Sequence, residues 1–177
     1  MDTSIRKLID LPDYVTLLGG AAASLAMLAA IEQRFSIAAL LMLLSVLCDF
    51  IDGKVARAIK RKNTEFGSAL DAVTDIVSFG ATPMIFGYCL GMNSPLSVTV
   101  LLLFAGTAAL RLARFLAIPY SSRTFTGMPV TYNNIFIPLT YFGLQVFSLE
   151  NHIILLFLLL YLCLSALMIS SIRWIKF

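Results

Sequence analysis

Six long apolar stretches dominate this sequence, and little chain is left between them. A helix needs about 20 predominantly apolar residues to cross the hydrocarbon core of a bilayer. Composition agrees, because 59% of the 177 residues are hydrophobic and only 13% are charged, whereas a soluble domain carries far more charge. The predicted spans are Tyr14–Ile31, Ser36–Arg57, Phe66–Gly91, Leu96–Leu116, Pro129–Ser148 and His152–Trp174. We therefore expect residues 1–177 to form a single all-α, polytopic membrane domain with six transmembrane helices.

The first residues differ from the rest in being amphipathic. Ile5, Leu8 and Ile9 recur at helical spacing, with Arg6 and Lys7 beside them. That pattern is typical of a short helix lying at a membrane surface. A frayed terminus is the alternative interpretation.

The placement of positive charge predicts the orientation of the spans. If successive connections alternate between the two sides, all 13 Lys and Arg residues except Arg34 fall on one side. That side includes both termini and the cluster Lys60–Lys62. Positively charged connections remain in the cytoplasm. We expect a multi-pass protein of the cytoplasmic membrane, with both termini and the end of the second span facing the cytoplasm.

Four aspartates interrupt sequence that is otherwise apolar. Asp49 and Asp52 are three residues apart at the end of the second span, and Asp71 and Asp75 are four apart near the start of the third. Each spacing places a pair on one helix face. A carboxylate inside a span costs about 3 kcal/mol, so such residues usually face a polar cavity. Because the connection is short, we expect antiparallel helices that bring the two pairs together.

Carboxylates this close need cations to remain ionised. Oxygen ligands without histidine or thiolate favour Mg²⁺ or Mn²⁺ over zinc, and such a site can hold a diphosphate. Gly53, Ala56 and Gly67 share the aspartate faces and leave room for a substrate near the backbone. Arg57 can neutralise phosphate charge.

Three different roles are also open to the aspartates. They can pair with Lys and Arg at the membrane interface. They can also belong to a divalent-cation transporter, although all four lie at one end of the spans. Prenyl transferases bind diphosphates through aspartates too, but with differently spaced clusters and without the Gly-x2-Ala-Arg segment.

The segment reads Asp49-x2-Asp52-Gly53-x2-Ala56-Arg57-x9-Gly67-x3-Asp71-x3-Asp75. It resembles the signature of the CDP-alcohol phosphatidyltransferases, with each fixed position filled. The resemblance implies a six-helix fold, usually dimeric, that holds two divalent metals. It also implies transfer of a phosphatidyl group from a CDP-linked lipid to an alcohol, with release of CMP.

The resemblance also implies residue roles. The four aspartates would be metal ligands, and Asp75 would also be the general base that accepts the proton of the acceptor hydroxyl. The residues implied to contact the CDP-linked lipid are Asp13, Thr16, Gly53, Ala56, Arg57, Thr64 and Gly67. Asp13 stands where the family has asparagine.

Three further stretches resemble the phosphatidylserine synthases within that family: Ser78–Pro83, Leu110–Phe115 and Gly127–Pro129. The acceptor predicted from them is L-serine, forming phosphatidylserine. The lipid can be CDP-diacylglycerol or an archaeal ether analogue. The candidate acceptor contacts are Ser78, Arg111, Arg114, Asn133 and Asn134.

Several of these residues have a second interpretation. Arg111 and Arg114 can be topology charges at a helix end, and Asn133 and Asn134 can cap neighbouring backbone. Glycerol phosphate or inositol phosphate is the alternative acceptor, because Arg123 adds a third cation for a dianionic alcohol. The expected partners are the CDP-linked lipid, L-serine, surrounding membrane lipids and a second copy in a homodimer, with no nucleic acid.

Overall fold

The fold is that of a computed structural model, which describes residues 8–59, 64–117, 127–147 and 153–171. Every regular element within these ranges is a helix, so the all-α prediction is confirmed. The elements are α1 (Leu11–Ile31), α2 (Phe35–Ala58), α3 (Thr64–Asp75), a π-helical segment (Ile76–Ala81), α4 (Thr82–Cys89), α5 (Pro95–Ala117), a 3₁₀ turn (Val130–Tyr132), α6 (Asn133–Val146) and α7 (Ile153–Ile169).

Helices α1 and α2 form a tightly packed antiparallel hairpin. Small residues face each other across it, including the fully buried Ala23, Ala30, Ala38 and Ala39. Small side chains let helix backbones approach closely, which favours association of helices in membranes. The turn between the helices requires Gln33 to adopt a positive φ of 62°. The hairpin sets the end of α2 beside the start of α1.

The start of α1 is fixed by a local cap. The Asp10 backbone N–H donates to Asp13 Oδ2 at 2.7 Å, and Pro12 lies in the first turn, where its missing N–H costs nothing. Asp13 is fully buried. This cap holds the first turn of α1 against the rest of the fold.

The third predicted span is a continuous helical run with a change of helix type in its middle. α3 passes into the π-helical segment directly after Asp75, and the segment passes into α4 at Thr82. The Thr82 N–H donates to the Val77 carbonyl, five residues earlier. Single-turn π segments of this kind are rare and are frequently found at functional sites.

Aromatic side chains fill the core between α4, α5, α6 and α7. The rings of Phe104 and Tyr161 meet edge to face at 4.9 Å, and those of Phe86 and Tyr141 do so at 5.6 Å. Phe157 packs beside Phe86. Edge-to-face pairs are favourable arrangements of aromatic rings. The cluster fixes α4 in place relative to the other three helices.

The outer surface of the fold is rich in exposed leucine and isoleucine, as in Leu18, Leu102 and Leu110, which are all more than half exposed. Exposed apolar surface of this extent marks contact with lipid or with protein. Among the described residues, four helical runs are long and apolar enough to cross a membrane: Leu11–Ile31, Phe35–Ala58, Glu65–Cys89 and Pro95–Ala117. These match the first four predicted spans to within a few residues.

The fifth and sixth predicted spans correspond to shorter helices. α6 has 14 residues and begins at Asn133, since Gly127–Pro129 is not helical and Val130–Tyr132 forms a 3₁₀ turn. α7 has 17 residues and is apolar. Six spans are therefore not established by length. Outside the described residues lie residues 1–7 of the predicted N-terminal surface helix, Lys60–Lys62, Arg123 and the ends of these spans at Ser148, His152 and Trp174.

Candidate functional site

Three of the four aspartates meet at the junction of α2 and α3. Asp49 and Asp52 lie one turn apart near the end of α2, and Asp71 faces them from α3. Each contributes one carboxylate oxygen to a group in which all three oxygens lie within 4.8 Å of one another. The helical spacing read from the sequence produces this arrangement once the two helices run antiparallel.

Two threonines from other elements hold the α2 carboxylates. Thr16 Oγ1 of α1 donates to Asp52 Oδ2 at 2.7 Å. Thr131 Oγ1, in the 3₁₀ turn before α6, donates to Asp49 Oδ2 at 3.2 Å. The orientation of Asp49 and Asp52 is thus set by contacts distant in the chain.

The aspartates open onto one partly open cavity between α1, α2, α3 and the π segment. The residues lining this cavity are Thr16, Gly19, Gly20, Ser45, Asp49, Asp52, Asp71, Thr74, Asp75, Ser78 and Phe79. Polar and small side chains therefore line a space inside an otherwise apolar bundle.

Asp75 and Ser78 lie deeper along the third helical run. Asp75 is outside the group of three aspartates but lines the same cavity. Ser78, one turn later in the π segment, is 2% exposed. Its Oγ has no hydrogen-bond partner among the described residues. A buried hydroxyl that lines a cavity without a partner is suited to bind a ligand.

A positive charge beside the site, outside the cavity lining, comes from Arg111 of α5. Arg111 is half-buried, and its charge is close enough to Asp75 for the two to interact. Its Nε donates to the Met128 carbonyl at 3.2 Å, and its guanidinium lies 5.9 Å from the centre of the Phe115 ring. Arg114, one turn further, is exposed. The loop before α6 thus positions Arg111.

The predicted nucleotide contacts are distributed around the mouth of the site. A side chain at Gly53 would meet only Arg57, with Nη1 at 3.9 Å, so the backbone there is open to a ligand. Ala56 is half-buried and Gly67 is buried. Thr64 begins α3, but its side chain lies outside the described part of the structure.

Two predicted groups make contacts within the protein instead of facing the cavity. One oxygen of Asp13 accepts the capping bond of α1, and Asp13 does not line the cavity. Asn133 and Asn134 are fully buried. Their amide nitrogens donate to the Phe79 carbonyl at 3.0 Å and the Ser78 carbonyl at 2.9 Å. This is the backbone-capping alternative left open by the sequence.

Sequence reasoning missed Thr131, Ser45 and the Gly19–Gly20 pair. An added Cβ at Gly20 would lie 2.8 Å from Thr74 Cγ2, and one at Gly19 would lie 2.9 Å from Cys48 Cβ. These glycines therefore let α1 approach α2 and α3 across the cavity wall. Adjacent glycines inside a span were the available signal. No sequence pattern around Thr131 or Ser45 distinguishes them from other polar residues of the chain.

The electrostatics of the aspartate group suit a cation. Two unit charges about 4.8 Å apart repel by about 3–4 kcal/mol at an effective dielectric constant of about 20. Within the described ranges, no Lys or Arg lines the cavity. Three carboxylate oxygens at this spacing match the hard oxygen donors that Mg²⁺ and Mn²⁺ prefer. The donor set can therefore hold a divalent metal.

Comparison with known proteins gives the family. The family model for CDP-alcohol phosphatidyltransferase matches residues 9–175, nearly the whole chain. The chain belongs to the CDP-alcohol phosphatidyltransferase family. The resemblance drawn from the aspartate motif is thereby confirmed, and the site described above lies on that motif.

Among individual members of the family, the chain is similar to proteins whose names specify serine as the acceptor or phosphoserine lipid as the product. It is 34% identical over 131 residues to an archaetidylserine synthase of Methanothermobacter thermautotrophicus, covering 73% of this chain and 56% of the relative. It is 38% identical over 127 residues to a CDP-diacylglycerol–serine O-phosphatidyltransferase of Methanocaldococcus jannaschii, covering 72% and 58%. A Saccharomyces cerevisiae protein of the latter name is 29% identical over 145 residues, covering 72% and 51%. The chain thus spans about half the length of the curated relatives it matches.

Proposed function

We propose that this protein transfers a phosphatidyl group from a CDP-linked lipid to the hydroxyl of L-serine, releasing CMP and forming phosphatidylserine or its ether-lipid analogue. The observation that carries the proposal is the group formed by Asp49, Asp52 and Asp71, which opens onto the same cavity as Asp75 and Ser78. The residues that would serve as metal ligands, base and polar contact all line this cavity.

Asp49, Asp52 and Asp71 would hold Mg²⁺ or Mn²⁺, with Asp75 completing the ligand set for a second ion. Bound metal would neutralise diphosphate charge and stabilise the charge that develops on its oxygens. Thr16 and Thr131 would keep the α2 carboxylates oriented toward the cavity. Hydrogen-bond partners of metal ligands usually affect metal affinity strongly.

The CDP moiety would bind along the end of α2 and the start of α3. Gly53, Ala56 and Gly67 leave the backbone accessible, and Arg57 extends over Gly53. An arginine there can make paired hydrogen bonds to phosphate oxygens. Thr64 and Thr16 are proposed nucleotide contacts by family resemblance. Asp13 would act indirectly, by fixing the start of α1.

The acceptor would bind deeper, between the π segment and α5. Ser78 Oγ would hydrogen-bond the acceptor, and Arg111, with Arg114 at the rim, would hold its carboxylate. Asp75 would take the proton from the acceptor hydroxyl, because a carboxylate within hydrogen-bond reach can act as a general base. The hydroxyl oxygen then bonds to the lipid-linked phosphorus, and the bond to CMP breaks with CMP taking the electron pair.

Serine is preferred over phosphorylated polyols for two reasons. The relatives at 29–38% identity carry names that specify serine. Arg111 is also the one arginine among the described residues whose charge reaches Asp75. Because Arg114 is exposed at the rim, the one half-buried guanidinium beside the proposed base suits a carboxylate better than a dianionic phosphate.

The setting we propose is the cytoplasmic membrane, with six spans. The short helices α6 and α7 would complete the six, with both termini and the aspartate site on the cytoplasmic side. This orientation follows from the distribution of Lys and Arg. We also propose a homodimer, because members of this family are usually dimeric. The exposed leucines on several helices leave apolar surface for a second copy.

The test is an alcohol panel. Purified protein in detergent is mixed with Mn²⁺ or Mg²⁺, a CDP-linked lipid and serine, glycerol phosphate or inositol phosphate, and CMP release is measured. We expect release with serine that EDTA abolishes and added Mn²⁺ restores. Asp71→Asn is the matched inactive variant. Release with a phosphorylated polyol and none with serine would overturn the choice of acceptor.

A further inference from the structure

The π segment and Pro83 together remove the ordinary α-helical donors of two carbonyl groups, those of Ser78 and Phe79. Pro83 has no N–H, so it cannot donate to the Phe79 carbonyl four residues earlier, as in an α-helix. It also cannot donate to the Ser78 carbonyl five residues earlier, as in a π-helix. The Thr82 N–H is already bonded to the Val77 carbonyl. Buried carbonyls without donors would strongly disfavour this geometry.

Side chains from distant elements supply the missing donors. Asn134 Nδ2 donates to the Ser78 carbonyl at 2.9 Å, and Asn133 Nδ2 donates to the Phe79 carbonyl at 3.0 Å. Tyr161 of α7 adds a further bond from its hydroxyl to the Pro83 carbonyl of α4, which is not one of these two carbonyls. Both asparagines are fully buried at the start of α6. Asn134 thus replaces the Thr82 N–H that the Ser78 carbonyl would receive in an α-helix, and Asn133 replaces the N–H that Pro83 lacks.

The same contacts connect the π segment to the cavity wall. Asn134 Nδ2 also donates to Ser45 Oγ of α2 at 3.0 Å, and Ser45 lines the cavity with Ser78. Asn134 therefore ties the π segment to the helix that carries Asp49 and Asp52.

Helix type in this segment also decides which way the site residues face. An α-helix turns by about 100° per residue, so exchanging a π turn for an α turn rotates everything on one side of it. α4 is held by the aromatic core through Phe86. The rotation would therefore fall on α3, which carries Asp71 and Asp75. Keeping the π segment keeps these carboxylates facing α2.

We propose that Asn133 and Asn134 are positioning residues: they hold the π segment in the geometry that directs Asp75 and Ser78 into the cavity, without contacting the acceptor. The inference rests on the proposed function for its kinetic consequence. Its structural consequence stands independently of which reaction is catalysed. It also gives a physical reason for the Ser78–Pro83 motif, which contains both the uncapped carbonyls and the proline that uncaps them.

The test compares Asn133→Leu and Asn134→Leu, which keep side-chain size and remove the donor, with Asn93→Leu at an exposed loop asparagine as control. We expect kcat to fall by about ten-fold or more in both variants, with KM for serine changed by less than about three-fold, because misplaced groups lower turnover without weakening a contact. Hydrogen exchange measured by mass spectrometry should be faster in residues 76–82 and unchanged in α1.

A second variant guards against general destabilisation. Pro83→Ala restores a backbone N–H that can reach the Phe79 carbonyl. The effect of Asn133→Leu on kcat is therefore measured in two backgrounds, wild type and Pro83→Ala. The loss of kcat should be smaller in the Pro83→Ala background. An additive loss would overturn the positioning role.

Two other results would also overturn it. The first is a raised KM for serine with wild-type kcat at saturating serine, which would make the asparagines acceptor contacts. The second is unchanged exchange in residues 76–82. If the wild-type protein releases no CMP with serine, the proposed function fails, and the exchange measurement still decides the positioning role.

Discussion

Replacing Thr16 with valine isolates one hydrogen bond of the aspartate group. Threonine and valine have nearly the same shape, so Thr16→Val removes the hydroxyl that donates to Asp52 Oδ2 at 2.7 Å without creating a cavity. Asp52 is buried, and its orientation relies on this bond. We expect weaker binding of Mn²⁺, because Asp52 loses the contact that aims it at the metal.

The magnitude follows from the geometry. A hydrogen bond to a charged group contributes about 1.5–3 kcal/mol, and partners of metal ligands contribute about 10–100-fold in affinity. Thr16 Oγ1 is also 3.2 Å from the Pro12 carbonyl, which competes for its single proton. Because of this competition, the lower end of both ranges applies. The dissociation constant of Mn²⁺ should rise about ten-fold, since about 1.4 kcal/mol corresponds to a factor of ten.

The assay is direct titration of purified protein with Mn²⁺, following free ion by electron paramagnetic resonance in the absence of substrate. Thr16→Ser should retain most of the affinity because it keeps the hydroxyl. Thr99→Val is the matched control, since Thr99 makes the same bond to a carbonyl four residues earlier on an exposed face. The reasoning is refuted if Thr16→Val binds Mn²⁺ as tightly as wild type while Asp52→Asn binds it weakly.

Two predictions concern stability, read as the melting temperature of the detergent-solubilised protein. Gly127→Ala should lower the melting temperature, because φ is +82° and the new Cβ would collide with a backbone carbonyl of α7. The strain costs at least about 1–2 kcal/mol. Gly106→Ala is the control: its Cβ would meet nothing within 4 Å, so the melting temperature should stay unchanged or rise. Equal effects would contradict this account. Tyr161→Phe should also lower the melting temperature, because the buried hydrogen bond to the Pro83 carbonyl is lost; such a bond contributes about 1 kcal/mol to stability. The exposed Tyr88→Phe is its control, and an unchanged Tyr161→Phe protein would show that this bond contributes nothing.

The helical class and the first four helices could be predicted because their signals are local. Length, apolar composition and the positions of polar breaks determine such elements, and Phe35–Ala58 agrees with its predicted span to one residue at each end. α6 was predicted too long. Its start at Asn133 depends on the extended Gly127–Pro129 segment, where Gly127 fits beneath the end of α7, and that contact is invisible in a single run of sequence.

The aspartate group was predictable for the same local reason. Spacings of three and four residues place carboxylates on one face of each helix, and a short connection forces the two faces together. The spacing could not separate Asp75 from the other three. That separation depends on how far along the run each residue lies from the end of α2, where Asp49 and Asp52 are found.

The sequence by itself determined that this protein is a bundle of apolar helices carrying the aspartate motif of the CDP-alcohol phosphatidyltransferase family. Only the tertiary structure decided what Asn133 and Asn134 do. Their donors reach carbonyls as far as 56 residues away in the chain, and the need for them arises from a change of helix type next to Pro83. The spacing of residues along a helix determines which of them share a face. The hydrogen-bond partners of a buried amide depend instead on which distant carbonyl groups lack a helical donor, and that is decided by the tertiary structure.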